Sequence, residues 1–233
     1  MKETFTINDL QFELRRSNRR KTVGITVDRQ GELIVSAPAT CPIELIRGFV
    51  DEKRLWIYTK LAEKEMLLPP RSKREFTTGE GFPYLGRQYR LKLVDAERGQ
   101  PSLRLYQGRF HLDRKRKDEG RKRFIRWYTD HAVPWLEHRV DLLKDRVGMV
   151  PNSLKVRDLG SRWGSCNAAG TLNFHWRTIL LPPRIIEYVV IHELVHLAEP
   201  HHTQEFWRRL ERAMPDFAAR KKWLAESGAR ADV

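Results

Sequence analysis

Ile185-Ile186-Glu187-Tyr188-Val189-Val190-Ile191-His192-Glu193-Leu194-Val195-His196-Leu197-Ala198 is apolar on nearly every side. Pro182-Pro183 stands just before it, and a proline at the first helical position sacrifices no hydrogen bond, so the pair opens a helix. A helix that is apolar all round belongs in a core, where each polar side chain needs a partner. His192 and His196 are four residues apart and project from one face, close enough to share a tetrahedral metal. Glu193 lies beside His192 around the helix and reaches a water at that metal without being a ligand. The array therefore reads as a catalytic zinc centre with Glu193 as general base. Without a metal, two imidazoles and a carboxylate on a buried face would be left unpaired, at considerable cost.

A catalytic zinc takes a third protein ligand and keeps one position open. Downstream the candidates are Glu199, His201, His202 and Glu205. Pro200 disfavours helical geometry at Glu199, so the helix ends there and the chain turns back to bring His201 or His202 over the metal. Spacing does not choose between those two. Upstream, Ser161-Arg162-Trp163-Gly164-Ser165-Cys166 leads into the turn-like Asn167-Ala168-Ala169-Gly170. Leu172, Phe174 and Trp176 then alternate with Asn173, His175 and Arg177, which predicts a β-hairpin with one core face and one polar face. Arg162, His175 and Arg177 are candidates to stabilise an oxyanion or to fix a substrate carbonyl or phosphate. Cys166 reads as a small buried residue, since no separate Cys/His constellation accompanies it.

His192-Glu193-Leu194-Val195-His196-Leu197 followed by His202-Thr203-Gln204-Glu205-Phe206-Trp207 resembles the YgjP-type metal-dependent hydrolases, relatives of SprT-like zinc metallopeptidases. Ser161 to Cys166, Asn173-Phe174-His175-Trp176-Arg177 and Leu181-Pro182 carry the same resemblance. Arg19-Arg20, the turn at Gly31, Ala37-Pro38 and Lys53…Trp56-Ile57 fit it more loosely. The family usually has Asn where His201 and His175 stand here. The resemblance implies His202 as the third zinc ligand, a peptide bond as the substrate, and a β-rich part preceding a helical zincin-like part.

The rest of the chain is read around this centre. Val23, Ile25 and Val27, the turn Asp28-Arg29-Gln30-Gly31, then Leu33 and Val35 predict a hairpin. Past Pro42, Leu45, Ile46, Phe49, Val50, Lys53, Ile57 and Leu61 recur at helical spacing and predict one long helix, ended by Pro69-Pro70 and a basic linker through Lys73. Short strands follow at Tyr89 to Leu93, Leu103 to Leu105 and Phe110 to Leu112. Phe124, Tyr128, Trp135, Leu136, Val140, Leu143 and Val147 return to helical spacing, with a kink or two abutting helices expected at Pro134. The fold class expected is α+β: a β-rich region with one long helix over residues 1–113, then a mainly helical zincin-like region with a β-hairpin over residues 114–233. No internal repeat is evident.

The 233 residues carry 44 Lys+Arg against 30 Asp+Glu, a formal charge of +14, and 40% are hydrophobic, enough for a substantial core. The charge favours anionic partners. Eight of the thirteen residues from Arg114 to Arg126 are Arg or Lys. Arg121, Lys122, Arg123 and Arg126, with Trp127 stacking on a base, are the candidate nucleic-acid contacts; a solvated helix face is the plainer reading. Two cysteines, Cys41 and Cys166, make no disulfide framework. With no apolar stretch of signal-peptide or membrane-spanning length, a cytoplasmic protein with no membrane partner is expected. Three functions are thus in play. The first is a zinc metallopeptidase acting on protein or peptide. The second is a zinc phosphohydrolase acting on nucleotides or phosphoesters. The third is a nucleic-acid-binding module with a structural metal.

Overall fold

The computed structural model describes every residue except 1, 2, 8, 29, 30, 68–73, 98 and 161, and the side chains of 62–67. The expected turn residues Arg29 and Gln30, the Pro69-Pro70 linker through Lys73, and Ser161 therefore lie outside the described residues. The chain is α+β and divides into two units, Met1–Arg71 and Ser72–Val233.

In the first unit, β1 (Glu3–Ile7), β2 (Leu10–Ser17), β3 (Gly24–Val27) and β4 (Leu33–Pro38) form a sheet in the order β1-β2-β4-β3. The hairpin read from the alternating valines is the antiparallel pair β3–β4, with Val27 opposite Leu33. β2 and β4 run parallel. Phe12, Leu14, Leu33, Val35 and Ala37 point to one face. That face is covered by α1 (Ile43–Glu52) and α2 (Arg54–Leu67) through Ile46, Val50 and Ile57. The single helix expected here runs as two segments. The break is Lys53, which sits at φ −91°, ψ 7° while its N–H still bonds the Phe49 carbonyl.

The second unit begins with β5 (Gly81–Tyr84), β6 (Arg87–Val94), β7 (Leu103–Tyr106) and β8 (Arg109–Asp113). Their order is β5-β6-β8-β7, with β6 and β8 parallel, so the strand order of the first sheet occurs a second time. Both hairpins turn on two left-handed residues, Leu85-Gly86 (φ 48° and 74°) and Gln107-Gly108 (φ 47° and 72°), the backbone of the tight turns that match strand twist. The sheet packs its apolar side on α3 (Gly120–Val147). Phe82 stacks on Phe124 with ring centroids 4.1 Å apart, Phe110 meets both edge-on, and the Tyr128 hydroxyl donates to the Pro83 carbonyl at 2.7 Å. Sheet and helix share one core, so the boundary expected between residues 113 and 114 falls inside this unit. α3 runs through Pro134 as a continuous helix.

A third sheet, in the order β10-β11-β9, follows α3 and consists of β9 (Ser153–Arg157), β10 (Gly164–Cys166) and β11 (Thr171–His175). β10 and β11 are the expected hairpin, with Cys166 opposite Leu172. Asn167 holds the turn by accepting from the Ala169 and Thr171 N–H groups, and Gly170 takes the left-handed conformation that follows (φ 70°). A 3-10 turn, Trp176–Leu180, leads to α4 (Pro183–Val195), then α5 (Gln204–Ala213) and α6 (Phe217–Ser227). The start of α4 is located by the β5–β6 turn. Leu85 and Gly86 donate their N–H groups to Ile179 and Leu180, and a Cβ on Gly86 would lie 2.7 Å from Pro182 Cα.

Candidate metal centre

α4 is buried along most of its length, including Ile185, Ile186, Val189, Val190, Ile191, Leu194 and Val195. Its first acidic residue, Glu187, finds partners in Arg139 of α3 at 3.4 Å and Arg220 of α6 at 3.2 Å. The remaining polar groups converge on one spot. Ligand nitrogens of His192, His196 and His202 all lie within 4.8 Å of one another, and the Nε2 atoms of His192 and His202 are 3.0 Å apart. Two nitrogens each ~2.0–2.1 Å from one tetrahedral zinc would be separated by roughly 3.3 Å, so the spacing fits a shared ion. His201 is exposed, is not one of the three converging imidazoles, and supplies its carbonyl to Thr203 N–H.

Local structure explains the convergence. α4 ends at His196, and Leu197, Ala198 and Glu199 donate to Leu194 and Val195 as the chain turns. The Glu199 carbonyl faces His196 Nδ1 at 2.9 Å; that nitrogen carries the proton and Nε2 keeps its lone pair for a metal. Thr203 caps α5 by accepting from Phe206 N–H at 3.2 Å, which leaves His202 one residue before the helix. Phe206, fully buried, places its ring centroid 5.0, 4.6 and 4.7 Å from those of His192, His196 and His202. Trp207 stacks on His202 at 5.5 Å, and Lys221 Nζ sits 4.2 Å over that indole.

At this cluster two buried polar atoms, His192 Nδ1 and Glu193 Oε2, are without a hydrogen-bond partner among the described residues. Unpaired atoms of this kind at one cluster indicate a ligand or water. Three imidazoles with a carboxylate alongside fit a zinc-type ion, a borderline acid that takes nitrogen donors. Glu193 is only 5% exposed, and it reaches β10 so closely that a Cβ on Gly164 would lie 2.6 Å from its Oε1. A glycine inside a short strand is the sequence signal for such an approach. Burial pushes the Glu193 carboxyl up to about 8, against the opposing pull of Arg162. Burial, then the neighbouring imidazoles of His196 and His202, hold His192 down at about 3.

These shifts set the pH response of the metal-free protein. Below about 6.5 the unfolded chain protonates His192, while the fold refuses that proton down to about 3, so stability falls as pH drops through this window. Above about 4.5 the unfolded chain ionises Glu193, while the fold retains its proton to about 8, so stability falls as pH rises through that window. Between about 4.5 and 6.5 the two slopes oppose each other. The difference in Tm between chelated wild type and chelated Glu193→Gln should therefore shift against wild type from pH 5 to pH 8. A difference that stays constant across that range would remove Glu193 from the linkage.

The remaining candidates separate. Arg162 lines the cavity of about 790 Å³ that contains the three imidazoles and Glu193. His175 and Arg177 do not line it. His175, 1% exposed, pairs with Asp158 at 3.2 Å and accepts the Arg177 N–H at 3.0 Å. Arg177, 8% exposed, pairs with Asp232 at 3.0 Å. The polar face of β11 is thus covered, and these two side chains tie the strand to its neighbours. In the basic run, Arg121, Arg123 and Arg126 pair with Asp232, Glu119 and Asp130, at 4.0, 2.6 and 3.7 Å, and Lys122 is exposed. Trp127 is buried against Phe110 and Tyr84 and stacks on His131 at 3.7 Å. It is 8% exposed and borders a cavity with Arg123, Arg126 and His131.

A family model described as YgjP-like, metallopeptidase domain matches residues 21–227. No match was found among curated proteins. Among solved structures, the metallopeptidase zymogen of Pyrococcus abyssi abylysin is similar at 24% identity, covering 39% of this chain and 92% of that one, with a TM-score of 0.36. No helix among the described residues is long and apolar enough to cross a membrane.

Proposed function

We propose that this chain, which belongs to the YgjP-like metallopeptidase family, is a zinc peptidase in which His192, His196 and His202 hold the metal and Glu193 is the general base. Membership carries the coarse function, a metal-dependent peptidase. The finer reading rests on one observation, the convergence of three imidazoles beside a buried, unpartnered carboxylate.

Zinc held by His192, His196 and His202 would supply Lewis acidity to the scissile carbonyl and would bring the pKa of water toward ~7. Glu193 takes the proton of the attacking water and delivers it to the leaving amine. β10 is the edge strand of its sheet, and Gly164, Ser165 and Cys166 line the cavity. An extended peptide adds to such an edge through main-chain hydrogen bonds, which favours a peptide over a phosphoester. A structural zinc site needs no buried base at its side. The nucleic-acid module gains no support from a basic run whose Trp127 is buried.

Activity of zinc-loaded protein against unfolded proteins, peptides and nucleotides, with Glu193→Gln as control, tests the reading. Cleavage of nucleotides but of no peptide would transfer the chemistry to phosphate. A second variant probes the support of the base. Gly164→Ala places a methyl group 2.6 Å from Glu193 Oε1 and 2.7 Å from its Cγ, so the carboxylate must move. Zinc content is expected to hold while activity falls by about 10²-fold, the penalty for a misplaced catalytic group. Wild-type rates for Gly164→Ala would show that the carboxylate tolerates displacement.

A further inference from the structure

The metal cleft carries one exposed cation. Among the described residues, and apart from the three histidines, two side chains of formal charge line the cavity, Glu193 and Arg162. Glu193 is buried and committed to proton transfer, whereas Arg162 is exposed. No acidic side chain pairs with Arg162 among the described residues, although its charge is near enough to Glu193 to lower that carboxyl against the effect of burial. The acidic groups next to the metal loop are already engaged, Glu199 and Glu205 with Arg209 at 3.6 and 3.3 Å. Lys221, over Trp207, adds a second cation whose charge is felt at His192 and His202. A peptide entering this cleft therefore meets the Arg162 guanidinium, whose hydrogen-bonding edge is uncommitted among the described residues.

We propose that Arg162 is a specificity-determining residue that binds a substrate carboxylate close to the scissile bond, so that the enzyme selects acidic peptides. The inference rests on the peptidase reading. A guanidinium presents paired N–H donors that match a carboxylate in two parallel hydrogen bonds. Arg162 stands two residues before Gly164, the start of the edge strand β10, so a carboxylate it holds belongs to a residue near the bond lying over the metal. Two sources share that chemistry, an Asp or Glu side chain and the α-carboxylate of a peptide's last residue.

The experiment uses full-length zinc-loaded protein and peptide sets matched in shape but not charge. One set varies Asp against Asn and Glu against Gln at each position within three residues of the cleaved bond. A second compares free with amidated C-termini. Wild type should favour the acidic member at one position by roughly tenfold or more in kcat/KM, chiefly through KM. The set in which this preference falls identifies the source of the carboxylate. Arg162→Gln should abolish the preference, and Arg162→Glu should reverse it toward Lys at the same position, with zinc stoichiometry unchanged. Anisotropy of a labelled Asp peptide and its Asn twin on Glu193→Gln protein should show the same ratio in Kd without turnover. Acid-to-neutral ratios equal in wild type and Arg162→Gln in both peptide sets would overturn the proposal while leaving the peptidase reading intact. Absence of cleavage of every peptide by zinc-loaded wild type would overturn the peptidase reading, and this inference with it.

Discussion

Glu193→Gln is expected to bind zinc with unchanged stoichiometry and to lose peptide hydrolysis by about 10²- to 10⁴-fold. The amide keeps the volume and shape of the carboxylate, which matters at a side chain only 5% exposed and packed on Gly164. It cannot take a proton from water. Because Glu193 is outside the cluster of converging ligand nitrogens, metal affinity should barely move. Metal analysis of the purified variant, beside its turnover of a substrate verified on wild type, decides the matter. Full retained activity would exclude Glu193 as the base.

The second large effect concerns the ligands. His192→Ala and His196→Ala should no longer hold stoichiometric zinc after dialysis. His202→Ala should weaken zinc by more than the roughly 10- to 100-fold lost with an outer-shell partner, while His201→Ala stays within about tenfold of wild type. The order follows from geometry. His202 brings its Nε2 to 3.0 Å from that of His192, whereas His201 is not among the converging imidazoles and gives its backbone carbonyl to the turn. Competition against a chromogenic chelator measures all four. The reverse order for His201 and His202 would transfer the ligand role, and small equal losses would point to Glu199 or Glu205.

The metal helix was legible in the sequence because its signals are local. A run of apolar residues opened by Pro182-Pro183 can only be a buried helix or a strand, and two histidines four apart make sense on the helix. His202 was not legible in that way. Whether it or His201 turns inward depends on where the chain bends after Glu199, and that bend is set by the Glu199 carbonyl meeting His196 and by Thr203 capping α5. Only the resemblance implied His202. The surroundings of His175 and Arg177 were not legible for a related reason. Alternation along β11 tells which side chains oppose Leu172 and Phe174, but not that Asp158 and Asp232 come from elsewhere to cover the second face. Trp127 beside a run of arginines looked available, yet helical spacing from Phe124 places it toward the sheet, against Phe110. The repeated strand order of the first two sheets left no periodicity in the residues, since pairing order is fixed by connections rather than by side-chain identity.

Among the described residues, Phe206 is the one side chain whose ring approaches all three imidazoles, and it comes from a helix other than the one that bears His192 and is capped by His196. Its consequence is cooperativity. A metal that must gather freely rotating ligands loses affinity to the entropy of ordering them. Here that ordering is a by-product of packing one benzyl group between α4 and α5, so the ligands arrive as a unit or not at all. Loss of metal in denaturant should then coincide with separation of the two helices, and a half-formed site with two ligands engaged and one astray has little reason to be populated.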